Sequence, residues 1–109
     1  MNKTPSPPSH LTPHTAVWWR SVVADYELEQ HHVRLLTAAA EAWDRAQAAR
    51  AAIDANGLTF TDRFDQPRSR PEVRIEQQSV ALFARLIREL GLDLESPTES
   101  RPPRTQPRR

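Results

Sequence analysis

Residues 29–57, EQHHVRLLTAAAEAWDRAQAARAAIDANG, decide the fold. The stretch lacks proline and is dense in alanine, leucine, glutamine and arginine, all good helix formers. Leu35, Ala39, Ala42, Ala46, Ala49 and Ile53 recur at helical spacing on one line, and Leu36, Ala40 and Trp43 on the next. Two such lines make a stripe wider than a coiled-coil seam. Gly57 supplies a stop, since a helix end often needs the left-handed conformation that glycine adopts. The pattern predicts one helix over about residues 29–55, roughly 40 Å long at 1.5 Å per residue. Other elements of so short a chain must pack along it.

Upstream, Thr12 stands as N-cap and Pro13 as first residue of a helix expected over about 13–26. Ala16, Trp19, Val22, Val23 and Tyr26 form its apolar face. Trp18 and Trp19 point about 100° apart on a helix, so both cannot face one small partner. Two readings stand level: one tryptophan inside and one against a neighbouring subunit, or both at the edge of a monomer core. Leu28 is placed to staple onto Val33, and Glu29 suits the positive end of the long helix.

Downstream, Leu58, Phe60 and Phe64 alternate with polar residues as in a half-buried strand. Asp62, Asp65 and Pro67 are turn-forming types. A short β-hairpin or extended excursion is expected there, carrying Arg63, Arg68 and Arg70. Pro71 then opens a third helix that ends at Leu90 before Gly91. Its apolar residues, Val73, Ile75, Val80, Leu82, Phe83, Ala84, Leu86, Ile87 and Leu90, cover more circumference than one helical hairpin buries. The excess predicts an oligomer.

The expected fold is mainly α: an N-terminal helix, then a long central helix and a third helix forming a helical hairpin, with the excursion between them. Residues 1–11 read as a flexible lead-in, 12–94 as the folded domain and 95–109 as a disordered basic tail. A domain this small buries only about 60–65% of its unfolded surface, which also favours association. Trp18, Leu36, Ala42, Trp43, Phe83, Leu86 and Leu90 are the expected oligomer-interface residues.

The 109 residues contain no cysteine, which excludes disulfides and thiolate metal sites. No apolar run approaches a membrane span or a secretory leader, so a soluble, cytoplasmic chain with no membrane partner is expected. Of 15 basic residues all but Lys3 are arginine, a bias that a GC-rich genome produces without function. The net charge of +1 hides an asymmetry: residues 13–95 carry ten arginines against thirteen acids, while residues 96–109 carry four arginines against Glu99. A net acidic body does not bind nucleic acid by bulk charge, so any such binding needs local arginine clusters.

Chemistry-bearing patterns are weak. His31 and His32 are adjacent and fall on different sides of a helix, whereas metal ligands need i,i+3 or i,i+4 spacing. His10 and His14 have that spacing, but Pro13 interrupts them at a helix start. Glu41 and Asp44 read as a solvated face near Arg45. No nucleophile elbow is present, and two glycines cannot build a phosphate cradle. No catalytic constellation, metal site or cofactor is expected.

The order of features is more specific than any one of them. A proline-rich lead-in precedes Leu11, His14, Trp18-Trp19, Val22-Val23, Tyr26 and Leu28. Then come Leu35-Leu36, Ala39-Ala40, Trp43, Ile53 and Gly57-Leu58-Thr59. Arg70-Pro71 leads to Leu82, Leu86 and Leu90-Gly91-Leu92, and a serine, proline and arginine tail follows. Over about residues 7–104 this resembles the short, mainly three-helix small terminase subunits of tailed bacteriophages. The chain departs from them in having Asp93-Leu94 directly after Leu92, where a threonine- or serine-proline is usual, and in lacking a glycine at the tip of the excursion.

The resemblance implies a non-catalytic regulator of DNA packaging in the host cytoplasm, not a component of the mature virion. Such a protein forms a ring, binds viral double-stranded DNA and delivers it to the large terminase subunit, which holds the ATPase and nuclease. The arginines available for DNA are Arg20 and Arg34 near the first turn, Arg63, Arg68 and Arg70 in the excursion, and Arg101, Arg104, Arg108 and Arg109 in the tail. An alternative reading is a phage- or plasmid-encoded helical transcription regulator acting as a dimer. A purely structural oligomer is a third.

Overall fold

The computed structural model describes residues 5–92. The expected tail, with Arg101, Arg104, Arg108 and Arg109, lies outside them. Three helices, α1 (Pro13–Asp25), α2 (Gln30–Asn56) and α3 (Pro71–Leu90), are joined by a tight turn and by a hairpin of β1 (Thr59–Thr61) and β2 (Pro67–Ser69). The mainly helical reading and its element order hold, with boundaries within a residue or two of those expected. No helix among the described residues is long and apolar enough to cross a membrane.

α2 and α3 form an antiparallel pair, anchored at two points. Trp43 meets Phe83 with ring centroids 5.0 Å apart, and the Arg50 guanidinium donates to both Glu76 carboxylate oxygens at 2.8 and 2.9 Å. From one anchor to the other is seven residues up α2 and seven down α3, one heptad on each. The buried residues of α2 on this side are Ala39, Ala42, Ala46, Ala49 and Ile53, spaced 3, 4, 3, 4. On α3, Ser79 and Leu86 are buried one heptad apart. Small side chains along such a seam let two backbones approach closely.

The other face of α2 serves α1. Trp19, Val22, Leu36, Ala40 and Leu11 make a second core cluster, onto which Trp18, Tyr26, Leu28, Val33, Leu90 and Leu92 pack. Of the adjacent tryptophans, Trp19 is 1% exposed and donates its indole N–H to the Thr37 hydroxyl at 3.2 Å. Trp18 is half-buried. Leu28 and Val33 both reach this cluster, as a staple would.

Helix ends follow local chemistry. Gly91 is left-handed (φ 76, ψ 16), its N–H bonds to the Arg88 carbonyl at 3.0 Å, and the Leu92 N–H bonds to the Ile87 carbonyl at 3.0 Å. That is the Schellman arrangement. Gly57 differs from the expected left-handed stop: at φ 90 and ψ 176 the backbone leaves α2 extended, in a region open only to glycine. His32 Nδ1 accepts the Glu29 N–H at 3.2 Å, a capping task for one histidine of the adjacent pair.

The excursion is a hairpin with Thr59 paired to Ser69, Phe60 to Arg68 and Thr61 to Pro67. The expected half-buried strand is not formed. Leu58, Phe60 and Phe64 are exposed, because a two-stranded ribbon has no second layer to cover a face. Asp62 organises its turn, one carboxylate oxygen accepting the Phe64 and Gln66 N–H groups, both at 2.9 Å. The other accepts from Arg68 Nε at 2.8 Å. Asp65 takes the left-handed conformation (φ 63), so an aspartate fills the position where a glycine is usual.

Candidate nucleic-acid and assembly surfaces

α2 presents three sides. One faces α3, one faces α1, and the third is open to solvent. Leu36 and Ala42, expected at an oligomer interface, are wholly buried inside the protomer, and Leu86 nearly so. Leu36 and Ala40 of one apolar line pack against α1, while Ala39, Ala42, Ala46, Ala49 and Ile53 of the other are buried along α3. Leu90 packs on the α1 cluster. These four residues therefore serve the protomer's own packing.

Trp18, Trp43 and Phe83 behave differently. Phe83 lies between the two tryptophans, 5.9 Å from Trp18 and 5.0 Å from Trp43, with rings tilted by 51° and 48°. The three rings, with His14 and Thr15, line an open recess of about 300 Å³, and Trp43 remains 39% exposed. Val17 and Val80 are also exposed. Trp43, Val17 and Val80, with Leu58, Phe60, Phe64 and Ile75, are the large apolar groups that the described protomer leaves uncovered.

The arginines divide by their partners. Arg50 is engaged by Glu76, and also by Asp54 at 3.4 Å. Arg68 is engaged by Asp62 at 2.8 Å, a hydrogen bond that, with the Gln66 N–H, holds the Asp62 carboxyl below its ordinary range. Arg63 lies over the Phe64 ring, 4.9 Å from its centroid. Among the described residues, Arg20, Arg34, Arg45, Arg70, Arg74, Arg85 and Arg88 take no part in an ion pair. All of them except Arg70 are exposed.

Their placement on the helices reveals a pattern that counting along the chain misses. Arg74, Arg85 and Arg88 stand at i, i+11 and i+14 on α3, a single line. The line is opposite the α2-facing seam and extends about 21 Å at 1.5 Å per residue; Glu89 borders it at i+4 from Arg85 but pairs with none of its arginines. Arg34 and Arg45 are likewise eleven residues apart on the open side of α2. The spacing is legible in the sequence, although these arginines are not contiguous in it.

Two carboxylates read as solvated have structural tasks. Asp44 Oδ1 accepts the hydroxyl protons of Thr15 at 2.6 Å and Thr12 at 2.9 Å, and its Oδ2 accepts the Thr12 N–H at 2.9 Å. Thr12 is thus the N-cap of α1 by position, but its hydroxyl serves α2. Burial pushes the Asp44 pKa up, and the hydrogen bonds from Thr15 and Thr12 outweigh it and hold the carboxyl below its ordinary range. Glu41 meets His10 Nε2 at 2.8 Å. Among the described residues there is no group of three or more histidine or acidic side chains placed to hold a metal ion.

The described residues thus form a three-helix module with an alanine-lined helical seam, an open aromatic recess and exposed arginines outside any ion pair. The profile of the family described as "Phage terminase, small subunit" matches residues 17–106, which takes in most of α1 and all of α2 and α3, and the chain belongs to that family. Membership supports a role in phage DNA packaging. No curated protein and no solved structure matches the chain.

Proposed function

We propose that the chain is a non-catalytic small terminase subunit that assembles into a ring, binds viral double-stranded DNA and delivers it to the large subunit. The family match over residues 17–106 carries this reading. The open recess around Trp43 and Phe83 supports assembly, because an exposed aromatic cluster beside Val17 and Val80 gains from a second surface. DNA contact falls to exposed arginines without acid partners among the described residues, Arg20, Arg34 and Arg45, then Arg85 and Arg88, and to the tail arginines Arg101, Arg104, Arg108 and Arg109. Arg63 and Arg68 rank below these, because one lies over Phe64 and the other is held by Asp62.

A few phosphate contacts per chain give weak, salt-sensitive binding. Repetition around a ring raises the effective concentration for each further contact. Assembled protein therefore binds duplex DNA, while dissociated subunits hardly do. The test joins native mass spectrometry with gel shifts at two salt concentrations on four proteins: full-length, a tail-less form, Arg20→Ala/Arg34→Ala and Arg85→Ala/Arg88→Ala. A ring whose DNA affinity falls with salt and with these changes is expected. A discrete dimer, or equal binding by all four proteins, overturns the reading.

A further inference from the structure

A second concavity lies at the far end of the helical hairpin, between the β-ribbon and the first turns of α3. It encloses about 580 Å³ and is lined by Phe60, Arg68, Arg70, Pro71, Arg74 and Ile75, among others. Its apolar part is open: Phe60 and Ile75 are 40% and 37% exposed. Its rim is basic. Arg68 is neutralised by Asp62, but Arg70 and Arg74 have no acid partner among the described residues. Arg70 lines the cleft, and its buried Nε has no hydrogen-bond acceptor among the described residues, so its guanidinium carries donors that its own chain does not engage.

We propose that this cleft receives an acidic segment of a partner protein, with a carboxylate on Arg70 and Arg74 and a large apolar side chain between Phe60 and Ile75. On the packaging reading that partner is the large subunit, and only its identity rests on that reading. A duplex backbone brings phosphates but nothing apolar for a concave floor, so the surface fits a peptide better than DNA. Of the chain's own tail, the arginine-rich end is excluded as occupant by its sign, and the acidic stretch from Asp93 to Glu99 follows the end of α3 opposite the cleft.

The probe is a fluorescein-labelled glutamate-rich peptide with a central Phe-Leu pair, titrated against the full-length chain and followed by anisotropy. Saturable binding is expected, weakened about tenfold by Arg74→Glu, by Arg70→Gln, and by replacing the peptide's glutamates with glutamine. Arg74 is exposed on α3 and makes no bond there, so its variant remains decisive even where Arg70→Gln disturbs the ribbon. Equal binding by wild type and Arg74→Glu overturns the proposal. So does displacement of the peptide by duplex or single-stranded DNA, which makes the cleft a nucleic-acid site, or a changed oligomer mass for Arg74→Glu, which makes the occupant a second copy. DNA binding and native mass are recorded on the same samples. Loss of the peptide result with DNA binding intact removes this inference alone, whereas peptide binding without DNA binding removes the packaging reading and leaves the cleft.

Discussion

The Thr15 hydroxyl donates to Asp44 Oδ1 at 2.6 Å across 29 residues of sequence, and this contact fixes the start of α1 against the middle of α2. Thr15 is 4% exposed, so its hydroxyl has little water to turn to. Asp44→Ala leaves the Thr12 and Thr15 donors without their acceptor. A loss of about 2 kcal/mol is expected in urea unfolding, since bonds to a charged group exceed neutral ones. Thr15→Val, which keeps the shape, should cost less.

The same carboxylate makes stability depend on acid. Its pKa is lowered in the folded chain from the ordinary 3.8. Its contribution is therefore complete above 3.8 and fades as pH falls through the lower folded value. Trp18 and Trp19 report on α1, Trp43 reports on α2 beside Asp44, and the β1–β2 ribbon contains no tryptophan, so fluorescence separates this event from protonation of Asp62. Wild type should show a loss of the native tryptophan signal below about pH 4, and Asp44→Asn should flatten it.

Much of the fold was legible because its boundaries are written in local chemistry. Pro13 and Pro71 are restricted by their own rings, Gly91 is free to take the left-handed turn, and α2 declares itself by period. Asp44 was not legible as an anchor, because its partners are brought to it only by the fold. Leu36, Ala42 and Leu86, expected at an oligomer interface, are buried within the protomer for a related reason. A sequence shows that α2 has more apolar surface than one partner needs, but not that α1 and α3 of the same chain divide it. Leu36 went to α1, and Ala42 and Leu86 to the α2–α3 seam. The arginines show the opposite case, where the spacing of Arg74, Arg85 and Arg88 was present to be read around the helix.

The seam and the open recess should respond differently to substitution. Ala46→Leu overpacks a closed seam and is expected to cost about 1–3 kcal/mol. Ala42→Glu buries a charge with no partner and should prevent folding. Val80→Glu lies on a surface that is 44% exposed and should leave helicity by circular dichroism unchanged while lowering the native mass. An unchanged mass would remove this face of α3 from the assembly surface.

The hairpin turn offers a compact check on Asp62 and Asp65. Asp62→Ala should speed amide exchange at Phe64 and Gln66, whose N–H groups it accepts. Asp65→Gly should slow exchange in the same turn, because it removes the steric cost of left-handed backbone, about 1 kcal/mol for an L-residue.

The antiparallel course of α2 and α3 gives the molecule two poles. Leu11 and Leu92 meet in one cluster, so the described chain begins and ends on the side of α1, while the ribbon and its cleft occupy the other extremity. Twenty residues of α3 set them about 30 Å apart. The helical pair acts as a ruler, and its graduation is the heptad. Inserting seven residues in each helix would preserve every seam layer and move the ribbon outward by about 10 Å. The distance over which the two ends of this subunit reach is thus a quantity that evolution can change without altering a single contact.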